Sequence, residues 1–183
     1  MYGLVNRGIE DLIRTHHGDD AWRRVCAASG FPGDTFSSMQ AYPDSVTFGL
    51  VAAASTELGL SAHEVLEQFG AHWVRYTGSA GYGALFDLAG SSVAEVLTNL
   101  DALHGRIEHT FPDYRMPHFE CVRLDDGDLR LIYRSSRDGL APMVLGLLRG
   151  LGERFGTPVT ITHTVLRGVD AAHDEFLLRV ATP

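Results

Sequence analysis

Apolar residues recur at helical spacing through the first 112 positions and alternate with polar ones after Pro117. The chain therefore reads as a helical lobe over about 1–112 and a sheet-containing lobe over about 113–183. Leu4, Val5, Ile9, Leu12 and Ile13 form one helical face. His16-His17-Gly18 closes that segment, with Gly18 as its cap. A short second helix, Asp20 to Ser29, carries Trp22, Val25 and Cys26. Gly30 to Met39 holds the turn signal Phe31-Pro32-Gly33, and Pro43 to Leu60 predicts another helix. Ser61-Ala62-His63-Glu64 is a capping box that opens a helix with Leu66, Phe69, Trp73 and Val74. After a glycine-rich break over Gly78 to Gly83 comes a short helix, Ala84 to Ala89. A second box, Ser92 to Glu95, then opens a long helix with Val93, Val96, Leu97, Leu100, Leu103, His104 and Ile107 on or near one face. Pro112 is expected to stop it.

Phe119 to Leu124 and Leu129 to Tyr133 read as strands joined by the hairpin signal Asp125-Asp126-Gly127. A helix follows over Leu140 to Phe155, despite Gly146, Gly150 and Gly152. Pro158 to Arg167 and Glu175 to Ala181 complete the pattern as strands. The order ββαββ predicts an α+β fold in which an antiparallel sheet carries a packed helix.

Composition narrows the function classes. With 183 residues, the chain is expected to form one domain burying roughly 70% of its unfolded surface. A formal net charge of −8, with scattered Lys and Arg, argues against nucleic acid as a partner. Polar and charged residues Asn6, Arg7, Glu10 and Asp11 leave no room for an apolar leader, and no stretch approaches the roughly 20 apolar residues of a membrane span. Two cysteines, Cys26 and Cys121, read as reduced thiols. No membrane contact and a cytoplasmic location are the expectations.

The chemistry concentrates at two places. Tyr133-Arg134-Ser135-Ser136-Arg137 reads Y-x-S-x-R at the end of an apolar strand. Alternation along a strand puts Tyr133, Ser135 and Arg137 on one face. Two hydroxyls and a guanidinium in a row suit a pair of carboxylates, because the planar Arg fork matches a carboxylate in two places. The second place is His104, on the long helix, whose imidazole is a candidate iron ligand. From the residues alone, His104 also reads as a core or boundary histidine, and Arg137 with Asp138 as a surface ion pair. Pro117 also reads as punctuation between helix and strand. The remaining histidines have no partner at metal-binding spacing and read as polar groups.

Together these features resemble the haem–nitric oxide/oxygen binding (H-NOX) family, which includes the haem domain of soluble guanylate cyclase. The resemblance runs through Met1-Tyr2-Gly3-Leu4-Val5, Phe69-Gly70-Ala71-His72-Trp73-Val74, Tyr82-Gly83, Asn99-Leu100-Asp101 to His104, Phe111-Pro112, Pro117, Y-x-S-x-R and Gly139-Leu140-Ala141-Pro142-Met143. It implies haem b, with His104 as proximal iron ligand and Tyr133, Ser135 and Arg137 on the propionates. By the same resemblance, Pro117 presses on the macrocycle, and Val5, Ile9, Trp73, Met143 and Leu147 form the distal wall.

Oxygen-binding members carry a tyrosine five positions beyond the arginine of Y-x-S-x-R, where this chain has Pro142. The resemblance therefore implies a sensor of NO and CO that excludes O2, with Tyr2, Tyr76 and Tyr82 left as other possible donors to the pocket. It also implies that NO weakens the iron–His104 bond and that the signal passes to a separate protein, a sensor histidine kinase or a diguanylate cyclase. One alternative keeps the fold as a module for another apolar ligand. An enzyme is not expected, since G-x-S-x-G, H-E-x-x-H and a P-loop are missing from the sequence.

Overall fold

A computed structural model describes residues 1–33, 35–78, 83–110 and 115–181. The positions Tyr82, Phe111 and Pro112 read above lie outside these residues. Helix α1 (Gly3–Ser29) contains the break that the sequence places at Gly18, whose φ of 84° and ψ of 170° are non-helical. Helix resumes directly after it, and Gly30 at φ 72° ends the element. Glycine suits both positions because a Cβ is disfavoured at positive φ.

Helices α2 (Asp44–Leu58), α3 (Ala62–Thr77), α4 (Gly83–Ala89) and α5 (Val93–Thr110) follow. At α3 the predicted capping box is complete: Glu64 N–H donates to Ser61 Oγ at 3.2 Å and Ser61 N–H to Glu64 Oε2 at 2.8 Å. At α5 the box is shifted, since Glu95 accepts from the N–H of Ser91 rather than Ser92.

Strands β1 (His118–Arg123), β2 (Leu129–Arg134), β3 (Val159–Val165) and β4 (Asp174–Val180) form one antiparallel sheet in the order β1-β2-β4-β3, with α6 (Ala141–Arg154) between β2 and β3 in sequence. This is the α+β fold expected from the pattern.

The glycines of α6 have a packing cause. A Cβ on Gly146 would lie 1.9 Å from the Glu67 carbonyl oxygen, and one on Gly70 would lie 2.0 Å from that of Met143. Helices α3 and α6 thus touch backbone to backbone, which outweighs the poor helix propensity of glycine. That close contact sets Trp73 and Val74 of α3 beside Val144, Leu147 and Leu148 of α6. On the other side of the space between them stands α5, packed on β1. The core runs beneath, with Trp22, Phe69, Leu131, Leu148, Phe176 and Leu178 fully buried.

Candidate functional site

Two adjoining chambers open between α3, α6, α5 and β1. One measures about 240 Å³ and is almost wholly apolar, lined by Trp73, Val74, Leu97, Leu100, Leu103 and His104 among others. The other, about 420 Å³, is lined by Val5, Trp73, Met143 and Leu147 together with Pro117, Tyr133, Ser135 and Arg137. Tyr2, Trp73, His104, Met116, Phe119, Val144 and Leu147 line both. Each chamber is near the lower end of the roughly 300–1,000 Å³ range of small-molecule sites; joined, they fall well inside it.

His104 is held from behind. Its Nδ1 lies 3.0 Å from the Pro117 carbonyl oxygen, which can only accept, so the proton sits on Nδ1 and the Nε2 lone pair remains for a ligand. Burial pushes the imidazole below its ordinary pKa; the hydrogen bond to Pro117 opposes this without cancelling it. The ring is therefore neutral at pH 7, the form that binds a metal. Two further bonds join α5 to the same segment. Asp101 Oδ1 accepts from Phe119 N–H at 3.0 Å, and Glu108 Oε1 from Met116 N–H at 2.6 Å. Residues 101, 104 and 108 share a helix face, so the segment 116–119 is fastened along α5.

The polar end of the second chamber departs from the alternation expected of a strand. β2 ends at Arg134, and Ser136 to Gly139 bend. In that bend Arg137 N–H donates to Ser135 Oγ at 3.0 Å. Tyr133, Ser135 and Arg137 do line one chamber, but a turn brings them there. Tyr133 is buried, which pushes its hydroxyl pKa up despite a hydrogen bond with Ser135. It therefore stays a neutral donor. The ring of Phe119 lies 5.5 Å from that of His104 and 5.1 Å from that of Tyr133, filling the wall between the two polar sites. Arg137 does not pair with Asp138, which bonds Arg167 instead. Its Nε donates to Asp44 at 2.8 Å.

Nine of the ten residues singled out from the sequence line these chambers. Ile9 does not: it is fully buried in the core and lines neither. Pro142 faces a separate surface cavity with His63 and Arg167. The face of α6 toward the chambers carries Met143, Val144, Leu147, Leu148 and Leu151, all apolar. Tyr2 does reach both chambers. Asp44, Glu108 and Met116 carry no signal in the sequence, where each reads as an ordinary helix or loop residue; Asp101 appears there only within the motif Asn99-Leu100-Asp101. Of the other histidines, His72, His163 and His173 each face one carboxylate at 2.7–2.9 Å. Among the described residues, no group of three or more His, Cys, Asp or Glu side chains could hold a metal.

A neutral, tautomer-fixed imidazole in an apolar chamber, with hydroxyls and a guanidinium at one end, is the donor set that a flat apolar cofactor with carboxylates at one edge requires. The sequence model of the family described as Haem-NO-binding matches residues 2–163. The chain belongs to this family. Family members bind haem b and act as haem-based gas sensors, and the donor set above fits that cofactor. The chain is 30% identical over 165 residues to the soluble guanylate cyclase gcy-32 of Caenorhabditis elegans, covering 88% of this chain and 24% of the cyclase. It is 26% identical to soluble guanylate cyclase 89Db of Drosophila melanogaster, covering 85% of the chain and 23% of that protein. The chain thus spans about a quarter of the length of these relatives. Its fold matches the H-NOX protein from S. oneidensis in the Fe(II)NO ligation state, at 19% identity, TM-score 0.90 and full coverage of both chains. It also matches an oxygen binding H-NOX domain in its oxygen complex, at 17% identity and TM-score 0.81, covering 98% of this chain and 94% of that one. No single helix is long and apolar enough to cross a membrane among the described residues.

Proposed function

We propose that this chain senses NO, and also binds CO, at ferrous haem held by His104, and that it does not take up O2. The observation that carries this reading is His104 itself. Its Nδ1–H is committed to Pro117, and it lines a chamber together with Tyr133, Ser135 and Arg137. Those three residues would take the cofactor's carboxylates, which need paired donors once removed from water. Pro117, Val5, Trp73, Met143 and Leu147 would flank its faces. Haem bound here would supply an iron able to take up the gas, with His104 as the protein's bond to it.

The protein's part is mechanical. The bonds from His104, Asp101 and Glu108 to the segment 116–119 would make it move with α5 if His104 Nε2 were released. Ligand binding can shift the protein only through different affinity for the two positions of that piece. The partner proposed is a separate sensor histidine kinase or diguanylate cyclase, whose binding must in turn alter NO affinity.

Exclusion of O2 is supported by the face of α6 toward the chambers, where Met143, Val144, Leu147, Leu148 and Leu151 offer no donor. A second reading has one observation in its favour: Tyr2 lines both chambers, and a tyrosine hydroxyl turned toward bound O2 would favour it. The reduced, haem-loaded protein in air separates them. An unchanged spectrum supports the first reading. A stable spectral shift that Tyr2→Phe abolishes establishes the second. No haem band at all would favour a site for a different apolar ligand.

A further inference from the structure

Arg137 is engaged by the protein as well as facing the chamber. Its Nε donates to Asp44 Oδ2 and its Nη1 to the Arg115 carbonyl oxygen, both at 2.8 Å. A guanidinium carries five N–H donors in a rigid plane, so these bonds fix the plane and leave three donors. Asp44 is the first residue of α2 and lies 93 positions from Arg137 in the chain. Both residues line the chamber beside Tyr133 and Ser135, and the pair is only partly exposed, 17% for Arg137 and 40% for Asp44. The other Asp44 oxygen accepts from the Met1 amino group at 2.5 Å. Burial pushes the Asp44 carboxyl up, but the bonds from Met1 and Arg137 together outweigh it and hold the group below the usual carboxylate range.

A carboxylate near a site for carboxylates has two opposing effects. It repels a second anion, and it orders the arginine that anion needs. The guanidinium, already bonded to Asp44, would screen that carboxylate from a second one. A long side chain already fixed at both Nε and Nη1 loses little further freedom when a ligand arrives. Ordering therefore outweighs repulsion.

We propose that Asp44 is a positioning residue for the cofactor's carboxylate, holding Arg137 so that its remaining donors meet the chamber and tying the start of α2 to that end of the site. This rests on the haem reading above. The test compares Asp44→Asn with the unaltered protein, each loaded with haem or with haem whose two propionates are methyl esters, and follows cofactor transfer to excess apomyoglobin. The expected result is loss of natural haem roughly tenfold faster in Asp44→Asn, since a charge-assisted hydrogen bond is at stake. Loss of the esterified cofactor is expected not to change, and Asp44→Glu to restore part of the retention. Equal acceleration with both cofactors overturns the proposal, because Asp44 then supports only the fold. Unchanged or slower loss of natural haem also overturns it, because Asp44 then competes for Arg137. If the unaltered protein takes up neither cofactor, the haem reading itself fails, an outcome distinct from the other two.

Discussion

The imidazole of His104 and the carbonyl of Pro117 are joined by a 3.0 Å hydrogen bond that spans thirteen residues and ties α5 to the residue before β1. The bond makes one nitrogen a donor and leaves the other as a ligand, and it uses backbone, not the proline ring. Pro117→Ala is therefore expected to keep haem on His104 while relaxing contact with its face. Weaker out-of-plane porphyrin bands in resonance Raman spectra, at unchanged haem content, would show this.

His104→Gly removes the proposed iron ligand but leaves the chamber. We expect haem content after purification to fall several-fold and added imidazole to restore it, because a free imidazole fits the vacated volume. Equal haem retention without imidazole would mean that another group holds the iron.

Much of this site is legible in the amino-acid sequence. His104, Pro117 and the Y-x-S-x-R residues stand at spacings that have meaning together, and the strands follow from apolar alternation. Contacts distant in sequence are not legible. Nothing local to Asp44 signals Arg137, and nothing in Glu108 signals the N–H of Met116. Ile9 is fully buried in the core and lines neither chamber, because an apolar helix face does not reveal which of its residues meet the core and which meet a cavity. Ser135 and Arg137 reach the chamber as expected but by a different route, since a turn rather than a strand brings them round.

Packing between α3 and α6 gives a stability prediction with an internal control. Gly146→Ala gains about 1 kcal/mol of helix propensity but drives a methyl into the Glu67 carbonyl, 1.9 Å away, so a net loss of about 2 kcal/mol is expected. Gly105→Ala on α5 meets nothing within 4 Å and should stabilise by up to about 1 kcal/mol. Chemical denaturation of the two variants tests both signs.

Burial lowers the pKa of His72, whose Nε2 sits 2.7 Å from Asp11, and the carboxylate only partly restores it. The unfolded chain then binds the proton more readily than the folded one. The stability is fully present above the ordinary histidine value of 6.5 and is lost as pH falls from there toward the lowered folded value. The melting temperature should drop between pH 7 and pH 5.5, and His72→Gln should flatten that slope. A slope unchanged in His72→Gln would assign the effect elsewhere.

The two sides of α6 predict opposite outcomes for an introduced tyrosine. Pro142→Tyr places its hydroxyl toward the cavity with His63 and Arg167, so the reduced haem protein should remain insensitive to air. Leu147→Tyr places it in the chambers and should produce a spectrum that changes in air.

The central claim is that His104 is the protein's bond to the haem iron and the element that NO releases. The most direct measurement is the absorption spectrum of the reduced, haem-loaded protein with CO and then with NO. The account predicts a six-coordinate spectrum with CO and a five-coordinate one with NO, the difference being loss of His104. A six-coordinate spectrum that persists with NO would contradict it, because the histidine would then stay bound and α5 would have nothing to report.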